Sequence, residues 1–130
     1  MEHFRTVTVT EENKYKQTIS NGVHAWVADE PVDQGGNDLG PNPFDHLFAA
    51  LGACTSMTLR MYADRKKWPL EGVSVSLNGR RDPDAFVITR EITVKGPLSD
   101  EQKQMLLVIA DKCPVHKVLV GSIKTESKVL

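Results

Sequence analysis

The chain has 130 residues, of which 40% are hydrophobic and 25% charged, with a formal net charge of -1; this is the make-up of one soluble globular domain. The near-neutral charge gives no basis for nucleic acid or an anionic membrane as partner, an aromatic content of 6% is thin for a base-stacking platform, and no apolar run approaches the ~20 residues that span a bilayer. Met1-Glu2-His3-Phe4-Arg5 carries charge with no apolar stretch, so no export signal is expected; the location that follows is a reducing cytoplasm, where two cysteines suit catalysis or metal binding better than a structural crosslink.

Arg5 to Thr10 alternates Thr-Val-Thr-Val-Thr after its arginine, the pattern of a half-buried strand. Glu11 to Lys14 reads as a polar turn, Tyr15 to Ile19 alternates again, Ser20-Asn21-Gly22 is hairpin chemistry, and Val23 to Ala28 makes a third strand. The N-terminal part is therefore expected to be an antiparallel meander whose exposed faces call for covering, a partner chain being one way to cover them. Asp29 to Pro41, rich in Asp, Gly and Pro, is a loop: either a mobile, ligand-contacting segment or a plain connector with tight turns.

The rest is organised around Pro41 to Lys67. Asn42 can cap a helix, Pro43 suits its first position, and Asp45 faces the bare N–H groups of its first turn. Leu47 to Cys54 holds only small or apolar residues, which predicts a central helix roughly 35–40 Å long and buried on every side. Trp68-Pro69 stops it. Two strands follow at Val73–Leu77 and Phe86–Val94, joined by the charged turn Arg80 to Asp84. Ser99 caps a second helix running to about Lys112 and burying Met105, Leu106, Val108 and Ile109; Pro114 opens a short third helix, Gly121 ends it, and Ile123 to Leu130 returns as a strand. The fold class is α+β, antiparallel sheets packed around a long buried central helix, in a single domain over 1–130.

The two cysteines lie on different elements, so neither a CxxC redox motif nor a zinc-ribbon spacing exists. Cys54 sits mid-helix in apolar surroundings, where burial raises a thiol pKa, and the bland reading is a small core hydrophobe. Cys113 immediately precedes Pro114, so its sulfur can sit at a helix N-terminus, where free N–H groups favour thiolate. Cys113 and His116, with Cys54 and His46, could make a four-ligand zinc site, but only one close ligand pair is present where structural sites use two. On an ideal helix Asp45 points away from Cys54, which favours capping over acid–base work, and His46 lies about 80° from the thiol. Thr58, Leu51 and Ala50 share the Cys54 face, and Arg60 and Arg65 read as the solvated end of the helix.

Gly35 to Met57, Gly-Gly-Asn-Asp-Leu-Gly-Pro-Asn-Pro-Phe-Asp-His-Leu-Phe-Ala-Ala-Leu-Gly-Ala-Cys-Thr-Ser-Met, together with Asp111 to Leu119, Asp-Lys-Cys-Pro-Val-His-Lys-Val-Leu, resembles the OsmC/Ohr family of osmotically inducible and organic-hydroperoxide-resistance proteins. The resemblance runs through nearly the whole chain, and Ala28-Asp29-Glu30-Pro31 with Leu59-Arg60-Met61-Tyr62-Ala63 places it nearer the OsmC-like branch. It implies an intertwined homodimer with sites at the subunit interface, and a cofactor-free thiol peroxidase active in stress response. Cys54 would attack an organic hydroperoxide and become a sulfenic acid; Cys113 would resolve it as a disulfide, which an external dithiol reductant would then reduce. The family's arginine from the N-terminal sheet has no counterpart between Arg5 and Arg60, and its glutamate position falls beside Phe44 or Asp45. Asp45, His24 and His116 are therefore the candidate supporting groups, His24 being equally an ordinary strand residue. The alternative to a peroxidase is a non-enzymatic module that binds small molecules or acyl chains, with the cysteines as lining.

Overall fold

The computed structural model describes residues 4–130. Residues 1–3, on which the reading of the N-terminus partly rests, lie outside that range. The elements are β1 (Thr8–Asn13), β2 (Lys16–Ser20), β3 (Ala25–Ala28), a 3₁₀ turn (Val32–Gln34), α1 (Pro43–Lys66), β4 (Gly72–Asp82), β5 (Ala85–Lys95), α2 (Asp100–Ala110) and α3 (Pro114–Val120). β1, β2 and β3 form one antiparallel sheet and β4 and β5 another, so the class is α+β. The chain divides into two compact units, Met1–Leu47 and Phe48–Leu130.

In the first unit the meander forms, but its first strand lies three residues later than the alternation suggests. Lys14 takes a left-handed φ of 58°, so the tight turn falls at Lys14-Tyr15 with Asn13 opposite Lys16. A bulge between Glu11 and Asn13 keeps Glu12 in the strand, where it meets the Thr18 hydroxyl at 2.9 Å and Lys16 Nζ at 3.2 Å. These contacts, Thr18 first, hold the Glu12 carboxyl below its usual range. β1 is exposed along its whole length rather than half-buried. β3 starts at Ala25, not Val23, because Asn21 Oδ1 accepts the N–H groups of Val23 and His24 and folds them into the turn.

The loop after β3 is a self-bonded connector. Asp29, only 3% exposed, accepts the N–H groups of Glu30 (2.8 Å), Leu39 (3.1 Å) and Asn37 (3.3 Å). Burial alone would push this carboxyl up, but the three N–H groups outweigh it and hold it below its usual value. Gly36 is required where the loop doubles back, since a Cβ there would collide with the Glu30 carbonyl oxygen. α1 then opens as the sequence implies: Asn42 Oδ1 accepts the Asp45 N–H at 2.8 Å, and Asp45 Oδ2 accepts the Asn42 N–H at 3.0 Å, a reciprocal cap ahead of Pro43.

In the second unit α1 buries one stripe rather than every side. Leu51, Thr55, Leu59 and Ala63, spaced by four, are buried, while Ala49, Ala53, Met57 and Met61 are exposed. A helix apolar all round says that its faces are fit for burial, not that one chain supplies enough cover for all of them. The helix ends in a Schellman motif: Lys67 is left-handed at φ 58°, Trp68 N–H reaches Ala63 O at 2.8 Å, and Lys67 N–H reaches Asp64 O at 3.1 Å. Leu59 and Ala63 join Leu70, Leu98, Leu106, Ile109 and Ala110 in the core, with Val73, Ile92 and Val94 of the hairpin packed against them. Full burial of Leu59 contributes about 1.5–3 kcal/mol.

The β4–β5 hairpin is longer than its apolar runs, pairing from Gly72↔Lys95 to Asp82↔Ala85, so the turn shrinks to Pro83-Asp84. α2 carries the expected cap: Ser99 Oγ accepts the Gln102 N–H, and the Gln102 side chain accepts the Ser99 N–H. It buries Leu106 and Ile109 but leaves Met105 and Val108 exposed, because its core-facing stripe is narrower than its apolar content. Residues 122–130 are irregular and exposed rather than a strand. No helix among the described residues is long and apolar enough to cross a membrane.

Candidate active site

Cys113 is the N-cap of α3. Its backbone is non-helical at φ -55° and ψ 128°, Pro114 occupies the first helical position, and Cys113 Sγ accepts the His116 N–H at 3.5 Å. The thiol is fully buried. Cys54, in the middle of α1, is half-buried. Despite their distance in sequence, the two free thiols lie close enough within a single chain to act on one another. At the α3 N-terminus the His116 N–H bonds the Cys113 sulfur, and the Val115 N–H lies near enough to Cys54 to favour its charged form.

The Cys54 thiol is pushed above its ordinary value. Burial is the largest cause, and the nearby Cys113 favours the protonated form further; the Val115 N–H and the Thr58 hydroxyl pull the other way without winning. Thr58, one turn on from Cys54, touches the thiol as their shared helix face suggests. Beside the pair a cleft of about 450 Å³ is walled by Thr58, Met61, Ile109 and Pro114, with Arg65 and Lys112 also lining it. Such a cleft admits an organic molecule with an apolar body.

The other candidates take different places. Asp45 is occupied with capping α1. His24 is exposed beside the Asn21 turn, its backbone bonded to Asn21 in both directions. His46 Nδ1 bonds the Asn42 carbonyl at 2.8 Å and its Nε2 accepts the Trp26 Nε1–H at 3.1 Å, which assigns the neutral tautomer with the proton on Nδ1. The His116 imidazole turns to Asp111, Nε2 to Oδ1 at 3.7 Å, so only its backbone faces a thiol. Among the described residues no three His, Cys, Asp or Glu side chains gather as a metal site would require, and the four-ligand zinc set is not assembled.

Sequence reasoning missed Arg90 and Thr55. Arg90, on β5 opposite Leu77, reaches Thr55 Oγ1 (3.0 Å), the Ala110 carbonyl (3.2 Å) and Asp111 Oδ1 (2.6 Å). The signal was present: alternation through Ile88, Ile92 and Val94 puts Arg90 on the inward row of the strand, where a charge has to find partners.

The model of the OsmC-like protein family matches residues 35–128. The chain belongs to the OsmC-like family. No curated protein sequence matches it. Among solved structures, an OsmC-like protein from Mycoplasma pneumoniae is similar at 20% identity, covering 93% of this chain and 90% of that one with a TM-score of 0.79. An organic hydroperoxide resistance protein OsmC from Legionella pneumophila is similar at 18% identity over 92% and 90%, TM-score 0.69. The organic hydroperoxide resistance protein OhrB of Bacillus subtilis is similar at 22% identity over 92% of each chain, TM-score 0.65. At these identities the likeness is one of fold: this OsmC-like chain shares the architecture of proteins named for hydroperoxide resistance.

Proposed function

We propose that this protein is a thiol peroxidase that reduces organic hydroperoxides. The observation that carries the reading is the approach of Cys54 and Cys113, two thiols brought from separate elements near enough to influence one another. Cys54, as thiolate, attacks the terminal peroxide oxygen; the O–O bond breaks, the alcohol leaves with a proton, and Cys54 becomes a sulfenic acid. Cys113 then attacks the Cys54 sulfur, expelling water and closing a disulfide. Across both steps one hydroperoxide and two thiols become one alcohol, one water and one disulfide. An external dithiol restores both cysteines by exchange.

Cys54 is the attacking thiol because it is the less enclosed of the two and lies against the cleft-lining Thr58. Cys113 is the resolving thiol, and the Val115 N–H and Thr58 hydroxyl are the groups that steady negative charge as it develops on Cys54. No resident cofactor takes part, since the cysteines carry both electrons. The reading places the protein in the cytoplasm, as a homodimer whose partner covers the exposed Met57 and Met61 row of α1. Adding a cumene-type hydroperoxide to reduced protein and counting free thiols tests it. Loss of two thiols per chain is expected, and unchanged thiols would sink it.

A second reading is favoured by the upward push on the Cys54 pKa, which leaves that thiol protonated at neutral pH: a binding module that holds a small apolar molecule in the cleft. A ligand retained in native mass spectrometry, together with peroxide-inert thiols, would select it.

A further inference from the structure

The bonds of Arg90 join the two stretches of chain that carry the thiols. Its Nη1 is shared between Thr55, which follows Cys54 in α1, and the carbonyl of Ala110 at the end of α2; its Nη2 holds Asp111, two residues before Cys113. Thr55 is itself fixed, fully buried with its hydroxyl donating to Leu51 O at 2.7 Å. The Ala110 carbonyl also accepts the Cys113 N–H at 3.3 Å, so one oxygen ties Cys113 to Arg90. We propose that Arg90 is a positioning residue for the dithiol, clamping the turn from Ala110 to Cys113 onto the Cys54 turn of α1 so that the two sulfurs meet. The assignment rests on the dithiol reading above and adds the residue that assembles it.

Arg90 is not the counter-cation of Cys54. Its charge is matched by Asp111 at 2.6 Å, and the side chain is only 12% exposed, on a strand row otherwise apolar. Asp111 is 65% exposed, and an ion pair open to water on one side contributes little net stability, so its effect falls on geometry more than on folding. The planar guanidinium serves three acceptors at once, which a lysine ammonium on a flexible stem does not reproduce.

The test is a glutathione redox titration of the whole protein in its wild-type, Arg90→Met and Arg90→Lys forms. Protein dithiol and glutathione disulfide exchange to protein disulfide and two glutathione thiols: the cysteines lose two electrons, glutathione gains them, and the thiol protons end on glutathione. The equilibrium reads the effective concentration of one cysteine at the other and requires no peroxide. Arg90→Met is expected to lower it by about tenfold or more, and Arg90→Lys by about threefold, as geometry rather than charge is lost. Iodoacetamide alkylation of Cys54 in a Cys113→Ser background is expected to change by less than about threefold, a split that general loosening of the fold would not give. An unchanged equilibrium in Arg90→Met overturns the proposal, as does a parallel fall of closure and alkylation. If Arg90→Met does not fold, an unchanged equilibrium in Arg90→Lys overturns it equally. Hydroperoxide-inert thiols together with the expected glutathione difference would end the peroxidase reading and leave this assignment standing.

Discussion

The two cysteines occupy opposite kinds of ground. Cys113 caps a short helix, fully buried, with a backbone N–H aimed at its sulfur; Cys54 is mid-helix, half-buried, with its own helical N–H groups committed to the ladder. Position along the helices alone would single out Cys113, at a helix start, and leave Cys54 as a core filler. Access reverses the roles proposed for them, since Cys54 is only half-buried while Cys113 is fully enclosed. The structure eases this conflict by lending Cys54 an N–H from the helix that Cys113 caps. On the peroxidase reading, reactivity belongs to the pair, because Cys113 acts on the Cys54 thiol directly.

The contrast can be broken most severely at Cys54. Cys54→Ser should bring hydroperoxide consumption down to the background rate, whereas Cys113→Ala should still permit one oxidation per chain and then stop, as followed by residual peroxide after mixing. The same Cys113→Ala change sharpens the comparison at neutral pH. It removes two influences that hold Cys54 protonated, so the Cys54 pKa should fall and its alkylation accelerate, by about tenfold for every pH unit that the titration midpoint drops. In the wild type the sign runs the other way: with the pKa above the ordinary 9.0, thiolate grows with pH, and alkylation should rise about tenfold per pH unit through neutrality and still be climbing at pH 9. A plateau near neutrality would contradict that environment. The smallest effect is expected at Thr58→Val, which removes one hydrogen bond to the sulfur and should slow neutral-pH alkylation by about two- to tenfold.

Much of this architecture was legible in the residues. Asn42-Pro43 with Asp45, and Ser99 with Gln102, mark helix starts because capping is a local matter of one side chain and a few N–H groups. Cys113-Pro114 marks an N-cap for the same reason. What failed was non-local or cooperative. The shift of β1 depended on Lys14 adopting a left-handed conformation that nothing in its side chain demands, and the absence of a strand at 122–130 depended on pairing partners that alternation cannot supply. The even apolarity of α1 hid the fact that only the stripe of Leu51, Thr55, Leu59 and Ala63 is covered within the chain. The meeting of the two sulfurs came from family resemblance rather than from spacing. Arg90 was hidden because its three acceptors come from α1 and the end of α2, far away in sequence, while the family's arginine is expected on the N-terminal strands rather than on the inward row of β5.

The most direct measurement is a titration of the reduced protein with one equivalent of organic hydroperoxide, followed by thiol counting and mass mapping of the crosslink. Two thiols lost per chain, with Cys54 joined to Cys113 of the same chain, is the expected result. Unchanged thiols, or a crosslink only between separate chains, would contradict it.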